Sequence, residues 1–311
     1  MTLRPEHPGR RPASAMAARP TILLTGARGQ LGRELAALLP AYAHVVACDR
    51  AALDLADDDA IVATVRRVAP DVIVNAAAYT AVDRAEQARD EAFAINAHAP
   101  GVLAGEAKRT GALLVHYSTD YVFDGERDVP YDEDAPVAPV NAYGESKLAG
   151  ERAIAQAGAS ALVLRTSWVY ARHGRNFLTT MQALAATRRE IRVVADQTGV
   201  PNWARGLARA TAALVGQGVD ALRERAGLYH LSAGGSTSWY GFARAILRDR
   251  PDVAVVPIAT ADYPTAARRP RHSVLDASRF ARTFAFALPA WDAQLQDCLR
   301  SPAEPPDRGA A

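Results

Sequence analysis

The feature that most limits how this chain can fold is a short apolar run, Thr21-Ile-Leu-Leu24, that enters a glycine-spaced turn, Thr25-Gly-Ala-Arg-Gly-Gln-Leu-Gly32, and leaves it as a helical pattern over residues 30–39. A strand that turns this tightly into a helix is the first half of a right-handed crossover to a parallel neighbour. The motif recurs. His44-Val-Val-Ala-Cys-Asp49, Asp71-Val-Ile-Val-Asn75, Leu113-Leu-Val-His-Tyr-Ser118 and Ala161-Leu-Val-Leu-Arg165 read as strands, and helical periodicity fills residues 57–68, 91–110 (closed by Gly111) and the stretch around Lys147. The alternation predicts an α/β fold, a doubly wound parallel sheet of six or seven strands covered by helices on both faces.

Beyond about residue 170 the rhythm weakens. Val200-Pro-Asn-Trp203, Ser232-Ala-Gly-Gly235 and Tyr263-Pro-Thr-Ala-Ala-Arg-Arg-Pro270 interrupt it. The expected organisation is a dinucleotide-binding unit over residues 20–170 and a smaller, partly interleaved substrate-binding region over 171–198 and 232–300. A segment over about 199–231, with a helix at 199–216, returns to the first unit. Residues 1–19 and 301–311 read as a disordered extension and tail, and Met16 is an alternative start.

Composition excludes several classes. The net charge is +2, yet residues 1–19 hold four arginines against one glutamate, so the remainder sits at −1 and carries no basic field for nucleic acid. Cys48 and Cys298 are the only cysteines and lie far apart, which fits a reducing cytoplasm and neither a disulfide framework nor a metal knuckle. No apolar run reaches the roughly 18 residues of a membrane helix.

Gly26, Gly29 and Gly32 lie directly between strand and helix, where backbone can approach a diphosphate held at the helix N-terminus; a plain tight turn would use the same glycines. Asp49 ends the second strand 17 residues after Gly32, placed to accept hydrogen bonds from an adenosine ribose, while the adjacent Arg50 suits a 2′-phosphate. NADH and NADPH therefore both stay open, as does a solvated turn. Ala76, Ala77 and Ala78 leave room for a flat ring or a diphosphate near the backbone. Ser118-Thr119-Asp120-Tyr121 ends a later strand on the same carboxyl edge.

Tyr143-Gly-Glu-Ser-Lys147 sets a phenol and an amine on one helix face. A neighbouring cation favours the phenolate, so Lys147 is expected to lower the pKa of Tyr143 toward neutrality, as proton exchange with a carbonyl oxygen requires. Arg268, Arg269 and Arg271 are suited either to gripping a diphosphate or to clamping two regions together. His98, His116, His173, His230 and His272 show no metal-site spacing and are assigned no role.

The order of these motifs resembles the extended short-chain dehydrogenase/reductase superfamily, whose fold is the Rossmann sheet. Asp71-Val-Ile-Val-Asn-Ala-Ala-Ala-Tyr-Thr-Ala-Val-Asp83, His116-Tyr-Ser-Thr-Asp-Tyr-Val-Phe123, Tyr143-Gly-Glu-Ser-Lys-Leu-Ala-Gly-Glu151, Arg165-Thr-Ser-Trp-Val-Tyr170 and the 263–270 stretch are similar to dTDP-4-dehydrorhamnose reductases. The resemblance implies NAD(P)H-dependent reduction of dTDP-4-dehydro-L-rhamnose to dTDP-L-rhamnose, for cell-surface polysaccharide. It makes Tyr143 the proton donor, Lys147 the residue that holds the nicotinamide ribose, and Thr119 the group that orients the keto oxygen. Gln30, Leu31, Asp54 and Leu55 join the cofactor residues. Val82, Asp120, Tyr121, Trp168 and Arg268 join the substrate residues, although Trp168 reads equally as core.

Some relatives dimerise through magnesium-bound glutamates. Glu34 and Glu190 sit at matching places, read otherwise as an exposed helical charge and a turn residue, but Gln294-Leu-Gln-Asp-Cys298 offers no third glutamate. No metal ligand is assigned, and monomer and homodimer both stay open. A non-catalytic regulator resembling the β subunit of methionine adenosyltransferase is the alternative. Epimerase or dehydratase chemistry is disfavoured because Tyr121, not Glu, follows Asp120.

Overall fold

The computed structural model describes residues 19–302, so the expected disordered extension and tail, and the question of Met16 as the start, fall almost wholly outside the described residues. The chain runs β1 (Thr21–Thr25), α1 (Gln30–Leu38), β2 (His44–Cys48), α2 (Asp58–Val68), β3 (Val72–Asn75), α3 (Val82–Ala85), α4 (Arg89–Phe93), α5 (Ala99–Thr110), β4 (Leu113–Thr119), α6 (Ala142–Ala157) and β5 (Ala161–Thr166). It continues through β6 (Val169–Tyr170), α7 (Phe177–Thr187), β7 (Glu190–Val194), β8 (Thr198–Gly199), β9 (Asn202–Trp203), α8 (Ala204–Gly216), α9 (Val219–Arg223) and β10 (Gly227–His230). β11 (Thr237–Ser238), α10 (Trp239–Ile246), β12 (Ala254–Ile258), α11 (Ser278–Phe284) and α12 (Trp291–Arg300) complete it.

Six parallel strands form the main sheet in the order β10-β5-β4-β3-β1-β2. This is the doubly wound arrangement that the alternation predicts. Its strands are buried on both faces because successive side chains alternate. Ile22 and Leu24 join Val72, Val74, Leu113 and Val115 under α1, α8 and α11, whereas Leu23 joins Ile73, Leu114 and Val163 under α2, α5 and α6. Each such side chain withdrawn from water contributes ~1.5–3 kcal/mol before entropy is counted. Strand order reverses between β1 and β3, so a crevice opens at the carboxyl edge beside the glycine turn.

A smaller lobe has its own core. Parallel β7 and β12, with α7, α10 and α12, enclose Leu178, Met181, Ile191, Val193, Phe242 and Leu295. The segment from α8 to β10 passes back to the main sheet: α8 packs on α1, and β10 pairs with β5 from Gly227 opposite Leu162 to His230 opposite Arg165.

Two helix expectations need correction. The single helix over 91–110 is instead α4, a wide π-turn over Ala94–His98, and α5. Pro100 has no N–H to give the Asn96 carbonyl four residues back, which spoils the regular ladder there. The helix expected from Gly199 begins at Ala204, because Pro201 biases Val200 to extended backbone between the short strands β8 and β9.

Candidate active site

The glycine turn is shaped by contact between backbones. Gly26 has φ +69°, and a Cβ there would lie 2.7 Å from the Ala77 backbone; a Cβ on Gly32 would lie 2.0 Å from the Gly26 carbonyl oxygen. α1 starts at Gly29 without a side-chain cap, and Gln30 Oε1 is buried there without a partner. The cradle and the uncapped helix terminus suit a dinucleotide diphosphate. Asp49 stands at the end of β2, where its Oδ1 accepts from the N–H groups of Ala51 and Ala52 and its Oδ2 is paired with Arg28 Nε at 2.8 Å. Arg28, unremarked in the sequence, thus faces the carboxylate that was expected to meet the ribose. Asp54 bonds the Ala56 N–H in the following turn, and Leu55 is buried in the sheet core.

On the same edge β4 delivers Thr119, whose hydroxyl is within hydrogen-bond reach of the Tyr143 hydroxyl and donates to Asp120 Oδ1 at 3.1 Å. Asn141 caps α6 by accepting from Gly144 N–H at 2.8 Å, and its amide donates to the Arg268 carbonyl at 2.8 Å, which fixes the helix start against the 263–271 loop. Tyr143 and Tyr121 meet edge to face with centroids 5.7 Å apart. One turn along α6, Lys147 is 1% exposed.

Lys147 does not act on Tyr143 as expected. Its Nζ donates to the Tyr117 carbonyl at 2.7 Å and lies 3.3 Å from His116 Nε2. Burial, partly offset by the Thr119 hydrogen bond, pushes the Tyr143 phenol up to about 12 rather than down. Burial likewise pulls the Lys147 amine down to about 8 against the opposing pull of Glu151, and raises the Asp120 carboxyl to about 7 against hydrogen bonds from Ser273 and Thr119. Tyr143 is therefore a protonated phenol, a donor rather than a ready base.

The remaining expected residues fall in two groups. Trp168 follows β5 on the same edge, held at φ +41°, and stacks face to face on Trp239 of α10 at 3.6 Å, with Phe177 tilted against Trp239. It is half-buried and belongs to this aromatic shelf rather than to a core. Ala76 and Ala77 are partly buried against the sheet core, and Val82 opens α3. The three arginines do not converge: Arg268 pairs with Glu126, Arg269 with Asp83 and Arg271 with Asp128, at 2.9, 2.7 and 2.7 Å. Asp83 also accepts from Ala267 N–H, so Arg269 fastens the loop to α3.

Glu34 is not an exposed helical charge. It is 2% exposed and bonded to Arg205 Nε at 2.7 Å; burial raises its carboxyl, but the bonds from His173 and Arg205 outweigh that and hold it below the usual range. Glu190 is exposed at the start of β7. Among the described residues no cluster of three or more His, Cys, Asp or Glu is gathered for a metal ion. No helix among them is long and apolar enough to cross a membrane.

A glycine cradle at the switch point of a parallel sheet, joined to a Thr-Tyr-Lys set on the adjacent edge, defines a Rossmann-fold oxidoreductase of the short-chain dehydrogenase/reductase type. The family model described as the RmlD substrate binding domain matches residues 20–303. A dTDP-4-dehydrorhamnose reductase of Burkholderia thailandensis is 48% identical over 90% of this chain and 98% of its own, and one of Escherichia coli is 43% identical over 89% and 96%. The crystal structure of dTDP-4-dehydrorhamnose reductase from Bacillus anthracis in complex with NADP superimposes with a TM-score of 0.85 at 37% identity, covering 90% of this chain and 99% of that one. The chain belongs to the dTDP-4-dehydrorhamnose reductase family.

Proposed function

We infer that this chain reduces the 4-keto group of dTDP-4-dehydro-L-rhamnose with NADPH or NADH, giving dTDP-L-rhamnose for cell-surface polysaccharide. The observation that carries this reading is the Thr119–Tyr143 hydroxyl pair on the carboxyl edge of β4, beside the glycine cradle. With NADPH or NADH held by the glycine cradle, carbon 4 would receive its hydride from the nicotinamide. Tyr143 offers its O–H to the carbonyl oxygen, and Thr119 would join it by turning its single O–H from Asp120 to the substrate, so that the pair orients the oxygen and stabilises the negative charge that develops there. A phenol held near 12 delivers its proton to the more strongly basic alkoxide, which suits the reducing direction. Gly26, Gly29, Gln30, Leu31 and Gly32 would hold the diphosphate, Asp49 and Arg50 the adenosine ribose, and Lys147 the nicotinamide ribose. Val82, Asp120, Tyr121, Trp168 and Arg268 would meet the sugar nucleotide.

The intact Thr119, Tyr143 and Lys147, together with relatives that are reductases, favour catalysis over the regulatory alternative. The enzyme would act in the cytoplasm, as a monomer or homodimer whose state light scattering would read. The decisive assay follows loss of nicotinamide absorbance with NADPH, then NADH, while the keto sugar is generated in situ. Tyr143→Phe is expected to lower turnover ~10²–10⁴-fold with the fold retained. Near-normal turnover in that variant would overturn the reading.

A further inference from the structure

His116 is a fully buried side chain that the reaction as described does not use, and it sits at the centre of a hydrogen-bonded chain. Thr25 Oγ1 donates to Asn75 Oδ1 at 2.7 Å, and the Ala77 N–H reaches the same oxygen at 3.3 Å. With two donors on its oxygen, the Asn75 amide must turn its Nδ2 toward His116 Nδ1, 3.0 Å away. An amide nitrogen only donates, so Nδ1 is the acceptor and the ring hydrogen resides on Nε2. That hydrogen points at Lys147 Nζ, 3.3 Å away.

The imidazole is neutral, since complete burial holds it well below its ordinary range. An N–H directed at an amine favours the form with a lone pair. The neutral amine keeps two N–H groups, one of which serves the Tyr117 carbonyl. An ammonium would set one of its three hydrogens against the ring hydrogen, and relief would require a new tautomer that breaks the Asn75 contact. The other groups around Lys147 are few. Glu151 favours the ammonium but is itself clamped by Arg165 at 2.8 and 2.6 Å, and neither Tyr143 nor Asp120 acts on the Lys147 charge.

We propose that His116 is a positioning residue that acts through Lys147: Thr25 and Asn75 lock its Nε2–H tautomer, and that hydrogen sets the charge with which Lys147 meets the cofactor. The charge on Lys147 is thereby tied to the orientation of Asn75, whose oxygen also holds the Ala77 N–H in the loop that lines the cradle.

Asn75→Asp is the sharpest test, because the carboxylate can still accept from Thr25 and Ala77 but now accepts from the ring as well. The first readout is ¹⁵N NMR of the cofactor-free protein labelled at histidine. The His116 signal, identified by its loss in His116→Gln or its response to Asn75→Asp, should show the Nε2–H tautomer and no protonation from about pH 5 to 9, and Asn75→Asp should convert it to Nδ1–H. A wild-type Nδ1–H tautomer or an imidazolium would overturn the proposal.

The second readout rests on Lys147 serving the reductase reaction. The alkaline limb of kcat/KM, expected near the Lys147 value of about 8, should move up by about one pH unit in Asn75→Asp and in His116→Gln, each of which offers the ammonium an acceptor. A limb that stays in place while the rate falls would make His116 merely structural. Absence of turnover in the wild type would instead refute the proposed reaction and leave the NMR result to stand.

Discussion

The main sheet and the smaller lobe are built by different rules. In the sheet, strands of four to seven residues pair in register and bury alternate side chains on opposite faces, so backbone hydrogen bonds fix where every group lies. In the smaller lobe one parallel pair, β7 with β12, runs five residues, but β6, β8, β9 and β11 are two residues each, and aromatic contacts such as Trp168 on Trp239 and Phe177 on Phe242 do much of the positioning. The sheet offers the cofactor a rigid edge of backbone. The lobe presents to the same crevice, where the sugar is proposed to bind, a wall of aromatic side chains.

The comparison can be broken by substitutions that each disturb one side. Gly32→Ala would place a methyl carbon 2.0 Å from the Gly26 carbonyl oxygen, so the turn must open. Affinity for either nicotinamide cofactor, read by fluorescence titration, should fall by about 100-fold or more, well beyond the ~1 kcal/mol typical of a point substitution. Unchanged affinity would mean that the cradle does not hold the diphosphate. Trp239→Ala removes the far side of the aromatic shelf, and KM for the keto sugar should rise about tenfold, in line with loss of one aromatic pair, while cofactor affinity is unchanged. Equal effects on both ligands would erase the distinction drawn between the regions.

The smallest effect is on acid stability, and it belongs to the main sheet. Burial depresses His116, and burial together with Arg165 depresses His230 to about 3, so the folded chain refuses protons that the unfolded chain takes up below about pH 6.5. Stability from these two groups is present above about pH 6.5 and is lost as pH falls. Asp120, raised to about 7, works in the opposite direction, because the folded chain holds its proton more readily than the unfolded chain. The two histidines outweigh it, and unfolding free energy should fall by ~1.4 kcal/mol per pH unit between about pH 6 and 5. Denaturant unfolding that is flat across that window would show that the histidines are not held neutral.

Most of the sheet was legible in the sequence because its information is local. The runs at 21–24, 44–49, 71–75, 113–118 and 161–165 correspond to β1 to β5 within a residue or two, since an apolar run bounded by turn residues needs no distant partner to be recognised. That Thr119 would end a strand and that Tyr143 and Lys147 would share a helix was legible through spacing and motif order. What could not be read depends on contacts across the chain. His116 meets Lys147 across 31 residues and Asn75 across 41. Trp239 is recruited to Trp168 by the packing of α10, and no local signal marks a two-residue strand. The phenol departs from its local expectation for a related reason: the i, i+4 spacing brings Lys147 to the correct face, but the Tyr117 carbonyl and His116 claim its nitrogen.

The order of strands in the sheet also constrains how the protein can be made. β5 ends at Thr166 and its outer neighbour β10 begins only at Gly227, about sixty residues later. At about 5–20 residues per second, a ribosome leaves the edge of β5 without its partner for roughly 3–12 s. That edge, Ala-Leu-Val-Leu-Arg-Thr, opens with four apolar residues, and an unpaired strand of this kind invites pairing with another chain. Synthesis of the smaller lobe therefore falls within the interval in which the nascent sheet is most exposed to aggregation, and chaperone demand should peak there rather than at either terminus.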